Sequence, residues 1–138
     1  MALQYSVNLR NAQLDALETH AGTSAILRLY SGSVPASVAA SITGTMLCQI
    51  TLPSDYFTAA SSGVMSKTGT WSGAGDAGAG SGTACTHFRL WMSDGTTGVL
   101  QGTVTITAGG GDMTVDNTSI ASAQVVTINT FAITATNS

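Results

Sequence analysis

Apolar residues recur along this chain with two different periods. From Leu3 to Ala21, Val7, Leu14, Leu17 and Ala21 share one face of a helix, while Asn8, Asp15 and Glu18 fall elsewhere. Ser6 suits the N-cap, although Leu9 supplies no capping box, and Gly22 provides the stop. After Gly22 the period drops to two. The runs Ala25–Tyr30, Thr45–Leu52, Gly63–Trp71, Thr86–Met92, Val99–Thr107, Asp112–Asp116 and Gln124–Thr134 each read as strands. Turn-rich stretches such as "SGSVPAS", "SDGTTG" and "AGGGD" separate them.

Short strands without further helices predict a mainly β protein: an antiparallel β-sandwich or jelly-roll-like barrel with one N-terminal α-helix. Residues 1–22 form the helical segment and residues 23–138 the β-domain, together one compact unit without internal repeats. The alternation assigns Leu27, Leu29, Ile50, Phe88, Leu90, Val104, Ile106, Ile128 and Phe131 to the core. In "THFRLWM", Phe88, Leu90 and Met92 take one face, and Trp91 on the other face implies a second apolar contact.

Composition narrows the function. Hydrophobic residues make up 43% of the 138 and charged residues 8%, against a usual charged share of about 25%. That excludes a disordered chain. The surface must instead be covered by Ser, Thr, Asn and Gly, as in extracellular modules and virion components, and unlike most soluble metabolic enzymes. The four basic residues, Arg10, Arg28, Lys67 and Arg89, are dispersed in a chain of net charge −3. Nucleic-acid binding needs clustered cations, so no nucleic-acid partner is expected. No apolar run is long enough for a membrane-spanning helix, and the N-terminus lacks a secretory signal pattern. Synthesis in a bacterial cytoplasm would keep Cys48 and Cys85 reduced. Both are expected as buried thiols, with a disulfide open if their strands are neighbours.

No candidate chemistry completes a site. The glycine-rich stretch Gly73–Gly82 lacks the Lys-Ser/Thr pair and the following helix of a phosphate loop, and reads as a mobile connection. His20 suits the last helical turn. His87 and Cys85 share a strand face, but a structural zinc site wants four ligands, and only Cys48 and His20 remain to complete one. The same Cys–His pair brings no base geometry or oxyanion hole for nucleophilic catalysis. Asp112, Asp116 and Asn117 lack calcium-loop spacing and suit turns. No enzyme activity, catalytic residue, metal or cofactor is therefore expected. Trp71, Trp91 or Tyr56 would be the sugar platform of a carbohydrate-binding module if exposed.

Four segments carry a resemblance: "ALQYSVNLRNAQLDALETHAGTSAILRLYSG", "ITLPSDYF", "THFRLWMSDGTTGVLQGTV" and "DNTSIASAQVVTINTFAITA". The pattern of an N-terminal helix, the strand ending "LRLYSG" and the "DNTSI" tail resembles small structural proteins of tailed-bacteriophage virions. The likeness covers most of the chain and brings no catalytic residue with it. It implies a capsid decoration (cement) protein that binds the major capsid protein at the virion surface. A tail, head–tail or fibre-associated β-domain is the alternative. Few charges and closed symmetry suggest a homodimer or homotrimer. Sheet edges, the N-terminal segment and Gly73–Gly82 are the expected contacts.

Overall fold

The structure, a computed structural model, describes residues 1–137. Ser6 opens the helix: its backbone is extended and its hydroxyl oxygen accepts the Leu9 N–H at 3.2 Å, satisfying one of the orphan donors of the first turn. Helix α1 runs Val7–Ala21 and ends at Gly22, which has φ 77° and donates its N–H to the Glu18 carbonyl. Leu3–Tyr5 lie before the cap and outside the helix. Leu14 and Ala21 are buried and Leu17 packs partly against the core, but Val7 is exposed. The apolar stripe is thus shorter than its sequence pattern.

Polar side chains complete the docking of α1. Asn11 Oδ1 accepts Gly63 N–H at 2.8 Å, Asp15 Oδ1 accepts Ala60 N–H at 2.8 Å, and Glu18 Oε1 accepts the N–H groups of Tyr56 and Phe57 at 2.9 and 3.2 Å. Spacings of four and three place these three side chains on one helix face. That face meets irregular backbone rather than water.

Eleven strands follow: β1 Ile26–Tyr30, β2 Met46–Thr51, β3 Val64–Ser66, β4 Trp71–Ala74, β5 Thr83–Ala84, β6 His87–Trp91, β7 Gly98–Ile106, β8 Met113–Val115, β9 Ser119–Ile120, β10 Val125–Ile128 and β11 Ala132–Thr134. The main sheet has the order β2-β1-β6-β7-β8. Beyond β2, Cys48 bridges to Gly75 next to β4, β4 pairs with β10, and β10 approaches β8. The sheet therefore curls into a half-barrel, with α1 docked alongside β3. β3–β11 and β5–β9 form two further pairs.

Pairing is antiparallel except between β7 and β8, which run parallel with Val104 opposite Met113. Parallel neighbours ordinarily need a connection of about a dozen residues or more. Here Ala108 (φ 67°) and Gly110 (φ 80°) turn the chain within residues 107–112, and the Asp112 carboxylate accepts the Thr103 N–H at 2.8 Å. Two expected strands are each divided in two. Gly63–Trp71 yields β3 and the start of β4, and Gln124–Thr134 yields β10 and β11.

Leu27, Leu29, Ile50, Phe88, Leu90, Val104 and Ile128 are buried as the alternation requires, and Phe131 packs partly against them. Ile106 is the exception, 55% exposed at the end of β7, where no element covers its face. Tyr56, Phe57, Trp71, Phe88 and Phe131 form a continuous ring cluster, with Phe57–Trp71 edge-to-face at 5.5 Å and Phe88–Phe131 at 5.5 Å. Such offset geometry adds to simple area burial.

The stretch Gly73–Gly82 is not a mobile connection. It supplies half of β4 and a 3₁₀ turn at Ala77–Ala79, capped by Asp76, whose Oδ2 accepts Gly78 N–H at 3.0 Å. Gly75 donates to the Gln124 carbonyl and Asp76 to the Leu47 carbonyl, each at 2.7 Å. A Cβ at Gly75 would collide with the Ala121 carbonyl oxygen. Gly73 and Gly75 are there so that backbones can meet closely.

Candidate functional site

The chemistry-bearing side chains gather on the face of the main sheet opposite the core. β6 is buried on both faces, not on one: His87 and Arg89 are as inaccessible as Phe88 and Leu90. Gln49, Arg28, Arg89 and Gln101 are direct cross-strand partners on β2, β1, β6 and β7, forming one polar row across four strands. Arg28 Nε donates to Gln49 Oε1 at 2.8 Å, and Arg89 Nε and Nη2 donate to Gln101 Oε1 at 3.1 and 2.6 Å.

The long connection between β1 and β2 straps over this row. Arg89 Nη1 donates to the Ala40 carbonyl at 2.9 Å and Nη2 to the Ser37 carbonyl at 3.1 Å, while Gln101 Nε2 donates to the Pro35 carbonyl at 2.7 Å. These three bonds tie the backbone of the connection down onto the sheet. Arg89 is 2% exposed, and burial lowers its pKa from the ordinary guanidinium value.

Trp91, half-buried two residues along the same face, receives Arg89 at 5.1 Å and Arg28 at 5.5 Å from its ring centre, within cation–π range. Its Nε1 donates to the Tyr30 hydroxyl at 3.0 Å. The Tyr30 ring in turn stacks on His87 with centroids 5.4 Å apart. Between the strap, Trp91 and the β6–β7 turn lies an open cleft of about 630 Å³, walled by Val38, Ile42, Thr96, Thr97 and Val99 with Arg89 among its lining. The sequence singled out Trp91 on this face but missed Arg28 and Arg89. The available signal was two arginines at strand positions opposite the core, beside Trp91, in a chain holding only four cations.

The other sequence-derived candidates are dispersed or structural. Cys48 and Cys85 are buried free thiols; the Cys85 Sγ meets the His87 carbonyl at 3.8 Å, not its ring. His20 lies in the exposed last turn of α1. Among the described residues, no three His, Cys, Asp or Glu side chains are grouped so as to hold a metal ion. Asp112 binds the Thr103 N–H and hydroxyl, Asn117 caps Ser119 N–H at 2.9 Å, and Asp116 accepts from Asn129 at 3.5 Å. Tyr56 and Trp71 are buried in the ring cluster, so neither is the sugar platform that their exposure would have offered. Among the described residues, no helix is long and apolar enough to cross a membrane.

No family model, curated protein or solved structure matches this chain.

Proposed function

We propose that the protein is a virion structural protein of a tailed bacteriophage, a decoration protein that binds the major capsid protein on the head as a homodimer or homotrimer. The four-segment sequence resemblance carries this reading. The architecture supports it, because the titratable side chains of the site clasp backbone or pack, as a structural role requires. No catalysis, metal or cofactor is part of the proposal. We further propose that β4–β10 and the approach of β10 to β8 extend the half-barrel toward a jelly-roll-like wrap.

Exposed apolar side chains offer contact points. Leu3 is 70% exposed in the segment before α1, and Val125 is 72% exposed on β10. Gly73–Gly82 leaves the set of contacts expected to order on binding, since its backbone is already paired. A ligand that binds only the assembled lattice shifts the equilibrium away from disassembly by mass action. Mixing the purified protein with undecorated capsids tests the reading. Saturable binding at many copies per particle, with raised heat tolerance, supports decoration. A few copies confined to one vertex or the tail would select the alternative virion position, and absence from the particle would overturn both.

A further inference from the structure

The half-barrel leaves a gap between two strands that do not pair across it. β7 and β11 belong to different sheets, and an open groove of about 370 Å³ lies between them. Leu17, Phe88, Leu100, Phe131 and Ile133 line it, so the groove opens onto the apolar core.

Both strands turn free backbone toward this groove. Beside β11, Lys67 N–H donates to the Phe131 carbonyl and Ala135 N–H to the Gly63 carbonyl. Antiparallel alternation then directs the N–H and C=O groups of Ala132 and Thr134 away from β3. On β7, Val104 N–H donates to the Thr86 carbonyl, and Thr103 N–H points away from β6 to the Asp112 carboxylate. The same alternation directs the Gln101 N–H and C=O away from β6, and β8 begins only opposite Val104. Unpaired strand edges beside an apolar floor are the conditions for strand addition.

The chain also carries a strand-like segment without a partner. Of the nine large apolar side chains exposed among the described residues, five lie in the first nine positions: Met1, Leu3, Tyr5, Val7 and Leu9. Met1, Leu3 and Tyr5 alternate with Ala2 and Gln4, giving one apolar face at strand period in an arm that belongs to no helix or strand. Tyr5 N–H is tied to Asn137 Oδ1 at 2.8 Å. Groove-lining Leu17 lies about 16 Å along α1 from Ser6, so filling its own groove would require the arm to double back along the helix. The arm of a second copy needs no such reversal.

We propose that residues 1–5 of one copy add as a strand between β7 and β11 of a second copy, bridging the gap in the curled sheet. Met1, Leu3 and Tyr5 cover the groove floor, and the arm's backbone pairs with Gln101 on one side and with Ala132 and Thr134 on the other. Reciprocal exchange closes the assembly as a symmetric pair. The inference gives the homo-oligomer proposed above its contact, and it rests on that part of the reading alone.

Sedimentation equilibrium tests it. The full chain should self-associate, and a variant lacking residues 1–5 should be monomeric with an unchanged circular dichroism spectrum. Leu3→Asp, at an exposed position of the single copy, should fold normally and weaken association at least about tenfold, because it carries a charge onto an apolar floor. Ala132→Pro removes an edge N–H and should also be monomeric alone. It should nevertheless pair with the variant lacking residues 1–5, since one still offers an arm and the other still offers a groove. Thr134→Pro takes its place if Ala132→Pro does not fold.

A full chain that stays monomeric would overturn the exchange and the homo-oligomer together. Undiminished association without residues 1–5 would keep an oligomer and overturn this contact, as would two folded complementary variants that fail to pair. Hydrogen-exchange protection of the Ala132 and Thr134 amides in a monomeric full chain, lost on deleting residues 1–5, would assign the groove to the chain's own arm and overturn the second copy. Any of these results in a protein that still coats capsids overturns the exchange and leaves decoration standing.

Discussion

Glu18 and Tyr56 hold each other at both ends. The Glu18 carboxylate accepts the Tyr56 backbone N–H at 2.9 Å, while the Tyr56 hydroxyl donates to the Gly22 carbonyl at 3.1 Å, one turn beyond Glu18. Burial, then the nearby Glu18 charge, pushes the Tyr56 phenol up to about 12, so it stays a donor throughout the neutral range. The helix end and the ring cluster are therefore a single mechanical unit. Glu18→Ala removes the acceptor of two N–H groups, those of Tyr56 and Phe57, and should cost about 2 kcal/mol or more. For a domain of this size that lowers Tm by roughly 5–8 °C. Glu18→Gln keeps an acceptor oxygen and should lose less than half as much in the same thermal melts. Equal stability of wild type and the alanine variant would show that the clasp holds nothing.

Gly75 marks where the glycine-rich stretch touches a fixed backbone. Because the obstacle is the Ala121 carbonyl and not a flexible side chain, Gly75→Ala should destabilise by about 3 kcal/mol, the upper end of ordinary overpacking. Ala77→Ser, two residues along at an exposed position, should change stability by less than about 0.5 kcal/mol. Urea denaturation of both variants measures the contrast. A Gly75→Ala protein as stable as Ala77→Ser would restore the view of this stretch as a loose connection.

These two sites show what the sequence could and could not convey. Leu27, Leu29 and Ile50 were legible as core because their neighbours Arg28 and Gln49 alternate with them, and strand geometry turns that alternation into two faces. Ser6 and Gly22 were legible as helix ends because their roles are local. Gly75 was not, since its need for a missing Cβ comes from Ala121, a contact only the fold creates. Glu18 was assigned to a polar face without a partner for the same reason: its acceptors' donors sit on Tyr56 and Phe57. Arg89 was the largest miss. A charge at a period-two position reads as solvent-facing, and its burial is made possible by Gln101 on the neighbouring strand together with the strap carbonyls of Ser37 and Ala40. Ile106 erred in the opposite direction, because the alternation continues past the point where another element covers the sheet.

Both thiols should be inert in the folded protein. Burial raises the Cys48 pKa to about 11, with Asp76 adding to it, and raises that of Cys85 to about 12. The thiolate is the reactive form. Iodoacetamide near pH 8 should therefore leave both unmodified under native conditions and label both after denaturation, as read by intact mass. Rapid native labelling of either one would mean that its strand opens far more readily than the core around it.

Acid should destabilise the protein in a window set first by His87. Its ring is fully buried against Tyr30, its Nδ1 meets the Thr86 hydroxyl at 3.0 Å, and its Nε2 has no partner among the described residues. Burial, then the Arg89 charge nearby, holds its pKa below the usual 6.5. The unfolded chain therefore takes up a proton before the folded one does as pH falls. Stability from this group is complete above about pH 6.5 and is lost as pH falls toward the folded pKa. Asp94, held at about 2 by its bonds to Thr97 and Thr96, and Asp112, held low by Thr103, add a second loss only below about pH 4. Thermal melts should show Tm falling between about pH 6.5 and 5, well before the carboxylates titrate. His87→Phe keeps a ring against Tyr30 and removes the titration, so its Tm should stay level across that interval even if its absolute value is lower. A wild-type Tm that does not change over the interval, or a His87→Phe protein with the same slope, would assign the acid sensitivity to other groups.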